Sequence, residues 1–306
     1  MAMQETRKNV FLAKSGALPA VANVVALNVP VIISPKIATG KTDGIGTGAL
    51  ANAKGYVDSD NVTAEFRVET NFRSPVSLGV ACELSELLKM CGLAETLTAA
   101  TSAVYKLGGI TSSGTGQIKT HLDGMSRTVT GISANVKISG KIGEPLKATF
   151  DVKGVTSVAA TAVANPTVTL NKGEQIIMKK STTTFTVGGA TLAASEFELD
   201  IGAEVERSYS SNTNEYYIKN FTPKLTVTAV KTKTTDEEAW TQLANGRGIG
   251  VTLNIGAEAN KFRLIATNAF GESVEESDDR DRIAIKRTLL LQSDDTANNN
   301  FTIILM

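Results

Sequence analysis

Apolar and polar residues alternate with period two in segment after segment of this chain, and that pattern admits few folds. In NVTAEFRVETNF, Val62, Ala64, Phe66 and Val68 share one face while Thr63, Glu65, Arg67 and Glu69 share the other, which describes a half-buried strand. LKATFDVKG repeats the pattern with Leu146, Ala148, Phe150 and Val152 inward, and SEFELDIG sets Phe197, Leu199 and Ile201 against Glu196, Glu198 and Asp200. KLTVTAV and RIAIKRTLLLQ behave alike. Strands wet on one face and covered on the other belong to antiparallel sheets, so the expected class is mainly β. Abundant Thr, Val, Ala, Ser and Gly, with aromatic residues at 5%, agree with many twisted strands joined by turns.

Two short amphipathic helices interrupt the strands. In ACELSELLKMCG, Leu84, Leu87, Leu88 and Cys91 fall at i, i+3, i+4 and i+7 and Gly92 is a stop signal, which predicts a helix over 81–91. In TDEEAWTQLANG, Thr235 and Glu238 form a capping box, Ala239, Trp240 and Leu243 an apolar stripe, and Gly246 an end, which predicts a helix over 236–245. The order of elements then recurs. ALNVPVIIS, a polar loop, VTAEFRVETNF, the first helix, IKTHLD, TVTGISANVKIS and LKATFDVKG are matched by EFELDIGAEVE, a polar loop, KLTVTAV, the second helix, IGVTLNIG, KFRLIATNAF and IAIKRTLLLQ. That reads as an internal duplication. Residues 1–160 form a first unit, with an N-terminal arm and a long loop 36–60, and residues 161–306 a second; GVTSVAATAVANPTVTLNKG is the expected linker.

Composition narrows the function. Lys plus Arg, 31, equals Asp plus Glu, 31, so no excess of basic charge favours phosphate-backbone binding as the main activity. The start of the chain mixes charges and prolines with its apolar residues and reads as no signal peptide. No window approaches the roughly 20 apolar residues of a membrane helix, and a soluble protein made in the cytoplasm is expected. Cys82 and Cys91 lie on opposite faces of one predicted helical segment, too far apart to bridge. His121 is the only histidine, which removes His-based metal clusters and leaves a Ser-His-Asp triad without support. GIGTGALANAKG lacks the Gly-Lys-Ser/Thr ending of a phosphate loop and reads as a surface loop; the acidic run GESVEESDDRDR lacks the spacing of a calcium loop and reads as a hairpin tip. No catalytic residue, metal or cofactor is expected.

Residues 78–96, LGVACELSELLKMCGLAET, resemble the helix and Cys-Gly stop of tail tube (major tail) proteins of long-tailed bacteriophages. FTVGGATLAASEFELDIGAEVE resembles that family's Gly-Gly turn and acidic alternating strand, and YYIKNFTPKLTVTA its strand after a polar loop. SDDRDRIAIKRTLLLQSDDTANNNFTIIL resembles its Asp-Arg-Asp hairpin, long apolar strand and final short strand. The matches cover most of residues 60–306 in family order, while residues 1–59 depart from it. The resemblance implies a tandem pair of tail-tube-like β-barrel or sandwich units, each with one short flanking α-helix. It implies a virion protein that partners itself in trimeric pseudo-hexameric or hexameric rings, stacked into a hollow tube for genome ejection. The tape-measure protein and genomic DNA would lie inside, and tail terminator and tail tip proteins would meet its ends. The polar loops 36–60 and 207–222 are then expected to order only on assembly.

A genome in transit is a polyanion, so the channel wall should be neutral to acidic. Glu196, Glu198 and Asp200, followed by Glu65 and Glu69, are the candidate channel-lining residues. Alternation reveals which face is wet but leaves open whether that face meets the channel or the outside. The competing class, a β-sandwich adhesin or decoration module, predicts aromatic hot spots at loop tips, for which Tyr216 and Tyr217 are the candidates. A glycan-acting enzyme would instead need paired carboxylates in a cleft.

Overall fold

The computed structural model describes residues 9–43, 53–108, 116–168, 173–245, 248–257, 260–279, 282–293 and 299–306. The first half runs β1 (Asn9–Ser15), β2 (Pro35–Asp43), β3 (Ala53–Asn71), α1 (Ser85–Met90), β4 (Leu93–Thr98), β5 (Ser102–Leu107), β6 (Gly116–Leu122), β7 (Met125–Lys141), β8 (Lys147–Thr156) and β9 (Thr161–Ala162). The second runs β10 (Thr183–Val187), β11 (Ala190–Leu192), β12 (Ala194–Asp200), β13 (Ala203–Tyr209), β14 (Asn214–Phe221), β15 (Lys224–Val230), α2 (Lys233–Asn245), β16 (Ile249–Ala257), β17 (Asn260–Asp279), β18 (Arg282–Gln292) and β19 (Thr302–Leu305). The protein is mainly β: among the described residues 17 strands join one sheet, and β13 and β14 form a separate two-stranded one.

Local chemistry sets the turns. Asp123 and Gly124, both at positive φ, make the tight connection between β6 and β7, where the strand twist demands left-handed backbone. Gly188 and Gly189 do the same between β10 and β11.

The pairing order recurs between the halves. Hydrogen-bonded neighbours follow β1, β6, β7, β8, β3 in the first and β10, β16, β17, β18, β15 in the second. An irregularity recurs with it. Thr130 and Gly131 of β7 bulge opposite Gln117, and Thr267 and Asn268 of β17 bulge opposite Gly250. Each bulge inserts one residue and so reverses which parity faces inward: Val129 gives way to Ile132 and Ala134, and Ala266 to Ala269, all buried.

The halves are also stitched together. β12 pairs with β7, Phe197 standing opposite Gly140, and β19 pairs with β5. The buried apolar residues form one contiguous cluster from Phe11 to Leu305, in which Phe72 meets Phe262 edge-on at 5.6 Å. Among the described strands no succession of pairings returns to its start, so the expected barrel does not close. The opening in the second half falls at Ala193, between β11 and β12. In the first, the chain between β1 and β2 touches its neighbours by isolated bonds, Val25 N to Phe11 O and Asn28 N to Glu69 O, both 2.9 Å; Pro30 and Pro35 lack the N–H a ladder needs.

Several local expectations need correction. The first helix has 6 residues, because the chain before it is held by side chains elsewhere: Cys82 N donates to Tyr105 Oη at 3.4 Å and Ala26 N to Glu83. Cys82 therefore lies outside the helix and Cys91 caps it; both are buried free thiols. The second helix starts at Lys233, so Thr235 is not its cap: Lys231 N is still bonded to Ile283 O at 2.9 Å, and the chain turns straight from strand to helix. Ala239 is buried and Leu243 half-buried against Gly271, whereas Trp240, one position round the helix, is 46% exposed. Gly246 lies outside the described residues.

The loops 36–60 and 207–222 are largely strand. Residues 35–43 and 53–71 are the arms of the β2/β3 hairpin, whose residues 44–52, with most of GIGTGALANAKG, lie outside the described residues. Residues 203–221 form the β13/β14 hairpin, and Tyr216 is only 6% exposed. The two hairpins support each other: Tyr209 Oη donates to Asp58 at 2.9 Å, Asn214 Nδ2 to Asp60 O at 3.2 Å, and Arg207 to Asn61. The linker stretch begins inside β8 and contains β9.

Candidate functional site

Strand register gathers all five candidate acids on one side of one sheet. Residues paired across an antiparallel ladder share a face, as do residues i and i+2 of a strand. Glu65 pairs with Lys153, and Lys153 with Ser133. Further along β7 on the same face stand Asn135, Lys137, Ser139 and Lys141, and Lys137 pairs with Asp200. Glu65 and Glu69 on β3 therefore look out from the same wet surface as Glu196, Glu198 and Asp200 on β12. The face continues across β15 through Lys224, Thr226 and Thr228 to Lys286 on β18.

Three acids in a row repel, and β7 supplies the answer. Lys137 Nζ lies 2.8 Å from Asp200 and 3.8 Å from Glu198, and Lys141 stands opposite Glu196. Burial works to raise the carboxyl of Asp200, but Lys137, Asn135 Nδ2 at 2.9 Å and Gly202 N at 2.8 Å outweigh it and hold the group below its ordinary value. Glu65 is held low chiefly by its hydrogen bond from Lys36. Arg67 bridges Asp151 at 3.0 Å. The surface is thus a mosaic of both signs rather than an acidic field. A shallow depression of about 420 Å³ lies in it, lined by Lys141, Lys147, Glu196, Glu198, Thr226 and Lys286.

Away from this face, His121 on β6 is 3% exposed, and burial, with Lys119 nearby, lowers its pKa and favours the neutral ring. Among the described residues, no three His, Cys, Asp or Glu side chains gather as metal ligands. Among the described residues, no helix is long and apolar enough to cross a membrane.

Two features of the face escape sequence reasoning. The lysines of β7 follow from alternation in ANVKISGK, with Val136 and Ile138 inward, but nothing local says that β12 is their neighbour. Phe270 of β17 and Leu290 of β18, paired with each other, also lie on the wet side and are only half-buried. The bulge at Thr267 and Asn268 turns Phe270 outward, and a bulge cannot be read from alternation alone. No protein-family model matches the chain, and no curated protein matches its sequence.

Proposed function

We propose that the chain is a structural subunit of a phage tail tube, built from two copies of one β unit, residues 1–160 and 161–306, that join other copies head to tail in rings. The recurring strand order and the recurring bulge support the duplication. So does the pair Phe11 and Phe185, each 1% exposed, opposite Thr120 and Leu253 at matching positions.

One observation carries the ring. Inside the chain, the edge of β7 beyond its bulge takes β12 of the second half as a neighbour. On the side away from β18 the matching stretch of β17, Ser273–Asp279, has no ladder partner among the described residues, and residues 28–34, which precede the β2/β3 hairpin as β12 precedes the β13/β14 hairpin, join no ladder among them. An exposed edge recruits a strand. Two complementary open edges at opposite ends of one chain form a heterologous contact, which closes into a ring or runs on as a filament. With two units per chain, three chains complete a ring of six, and rings stack into a tube. The mixed-charge face then lines the channel, where a neutral wall lets DNA and the tape-measure protein pass without counterion-release binding. Terminator and tip proteins would cap the stack.

Native mass spectrometry of early assemblies is expected to give multiples of three chains. A six-chain ring would sink the trimer while sparing the tube, and a monomer at every concentration would sink both.

A further inference from the structure

The β13/β14 hairpin does more than connect β12 to β15. It folds over the wet face of the first half across the middle of β7 and the last residues of β8. Gly131 makes room for it, since a Cβ there would lie 3.1 Å from Glu215. Ser133 Oγ donates to Tyr216 O at 2.7 Å, and Lys153 Nζ to Val205 O at 3.5 Å. Ser133 and Tyr216 are buried as a result, at 0% and 6% exposure.

Register identifies the corresponding place in the second half. Ser133 follows the bulge of β7 and pairs with Lys153; Phe270 follows the bulge of β17 and pairs with Leu290. The second half has apolar side chains where the first has polar ones, and among the described residues no hairpin covers them. The covering piece has a counterpart too. Glu65 of β3 pairs with Lys153 as Lys224 of β15 pairs with Leu290, and each is preceded along the chain by a hairpin, β2/β3 before Glu65 and β13/β14 before Lys224. Tyr216 is buried against the first half, whereas Val57, in the β2/β3 hairpin, is 63% exposed.

The chain thus carries a hairpin with an exposed apolar side chain, Val57, and a half-buried apolar patch, while the counterparts of hairpin and patch pack on each other within it. The described contacts of the β2/β3 hairpin are with Arg207, Tyr209 and Asn214 of its companion hairpin and none with Phe270 or Leu290. We infer that the β2/β3 hairpin of one copy packs over Phe270 and Leu290 of the next, with its exposed Val57 against that patch. This deepens the head-to-tail reading above and rests on it. It makes the hairpins a second, continuous belt beside the strand-edge contacts, in which each hairpin leans on the one before.

The test is the double variant Val57→Cys with Phe270→Cys, oxidised at assembling concentrations and run on a non-reducing gel. The chain's own thiols, Cys82 and Cys91, are buried and add no background. The expected result is a ladder of disulfide-linked multimers that neither single variant gives. Phe270→Asp, with an unchanged circular dichroism spectrum, is expected to raise the concentration needed for assembly at least tenfold. Large assemblies of the double variant without the link, together with normal assembly of Phe270→Asp, would overturn the docking and leave the ring standing. Linkage that stops at a reciprocal dimer would support the docking and overturn the ring. Wild-type protein that stays monomeric would overturn both.

Discussion

Glu95 holds together a cluster of largely buried polar side chains. Its carboxylate accepts from Ser85 Oγ and Tyr105 Oη, each at 2.7 Å, and lies 2.9 Å from Lys89 Nζ. Burial works to raise its pKa, but the bonds from Tyr105, Lys89 and Ser85 outweigh burial and hold it low. A carboxylate with a depressed folded pKa adds stability above its unfolded value, about 4.3, and loses it as pH falls through the folded pKa. Glu95→Gln should therefore lower stability by about 1–3 kcal/mol at pH 7. Urea midpoints followed from pH 7 to pH 3 should converge for wild type and variant; a constant gap would contradict the assignment. Burial likewise pushes the Cys82 thiol up to about 11, so native protein at pH 8 should resist iodoacetamide and unfolded protein should not. At this scale the sequence was largely readable. The inward positions of the strands at 62–68, 146–152 and 197–201 are buried or half-buried as alternation predicts, because a half-covered sheet enforces parity residue by residue. What alternation lacks is the partner: Lys137 beside Asp200 is a contact across 63 positions of sequence, read only from the ladder.

Among elements, the β7/β12 junction joins the halves, and Gly140 makes it possible. A Cβ at Gly140 would lie 2.5 Å from Leu146 Cδ2 and 2.6 Å from Phe197 Cε1, both in buried side chains without room to retreat. Gly140→Val should lower stability by about 1–3 kcal/mol, measured by thermal melting, through overpacking at that seam. An unchanged melting temperature would mean that the halves are not held there. Elements were legible where periodicity runs long and illegible where backbone pairing does the work. Residues 36–60 and 207–222 read as polar loops because Gly, Asn and Ser are frequent in them, yet backbone ladders, Tyr209 and Arg207 hold much of them as strands. Helix boundaries shifted by a few residues for a related reason: tertiary bonds at Cys82 and Lys231 decide where the chain is free to coil.

At the scale of the whole molecule, the proposed tube requires a surface of balanced charge and two ends that fit each other. Glu196 and Glu198 stand on the proposed channel wall and, unlike Asp200, are exposed, so Glu196→Lys with Glu198→Lys should leave the fold intact. Phage carrying that tube should eject DNA more slowly, with high salt relieving the delay. Unchanged ejection at low salt would move this face to the outside of the tube. The recurrence of elements was visible in the sequence, while the open edges were not, because an edge is defined by the neighbour it lacks. The most direct test of the central claim is electron microscopy of the purified protein over rising concentration. Rings with a sixfold outline built from three chains, stacking into hollow tubes, are the expected result; particles that remain single chains or closed dimers at every concentration would contradict it.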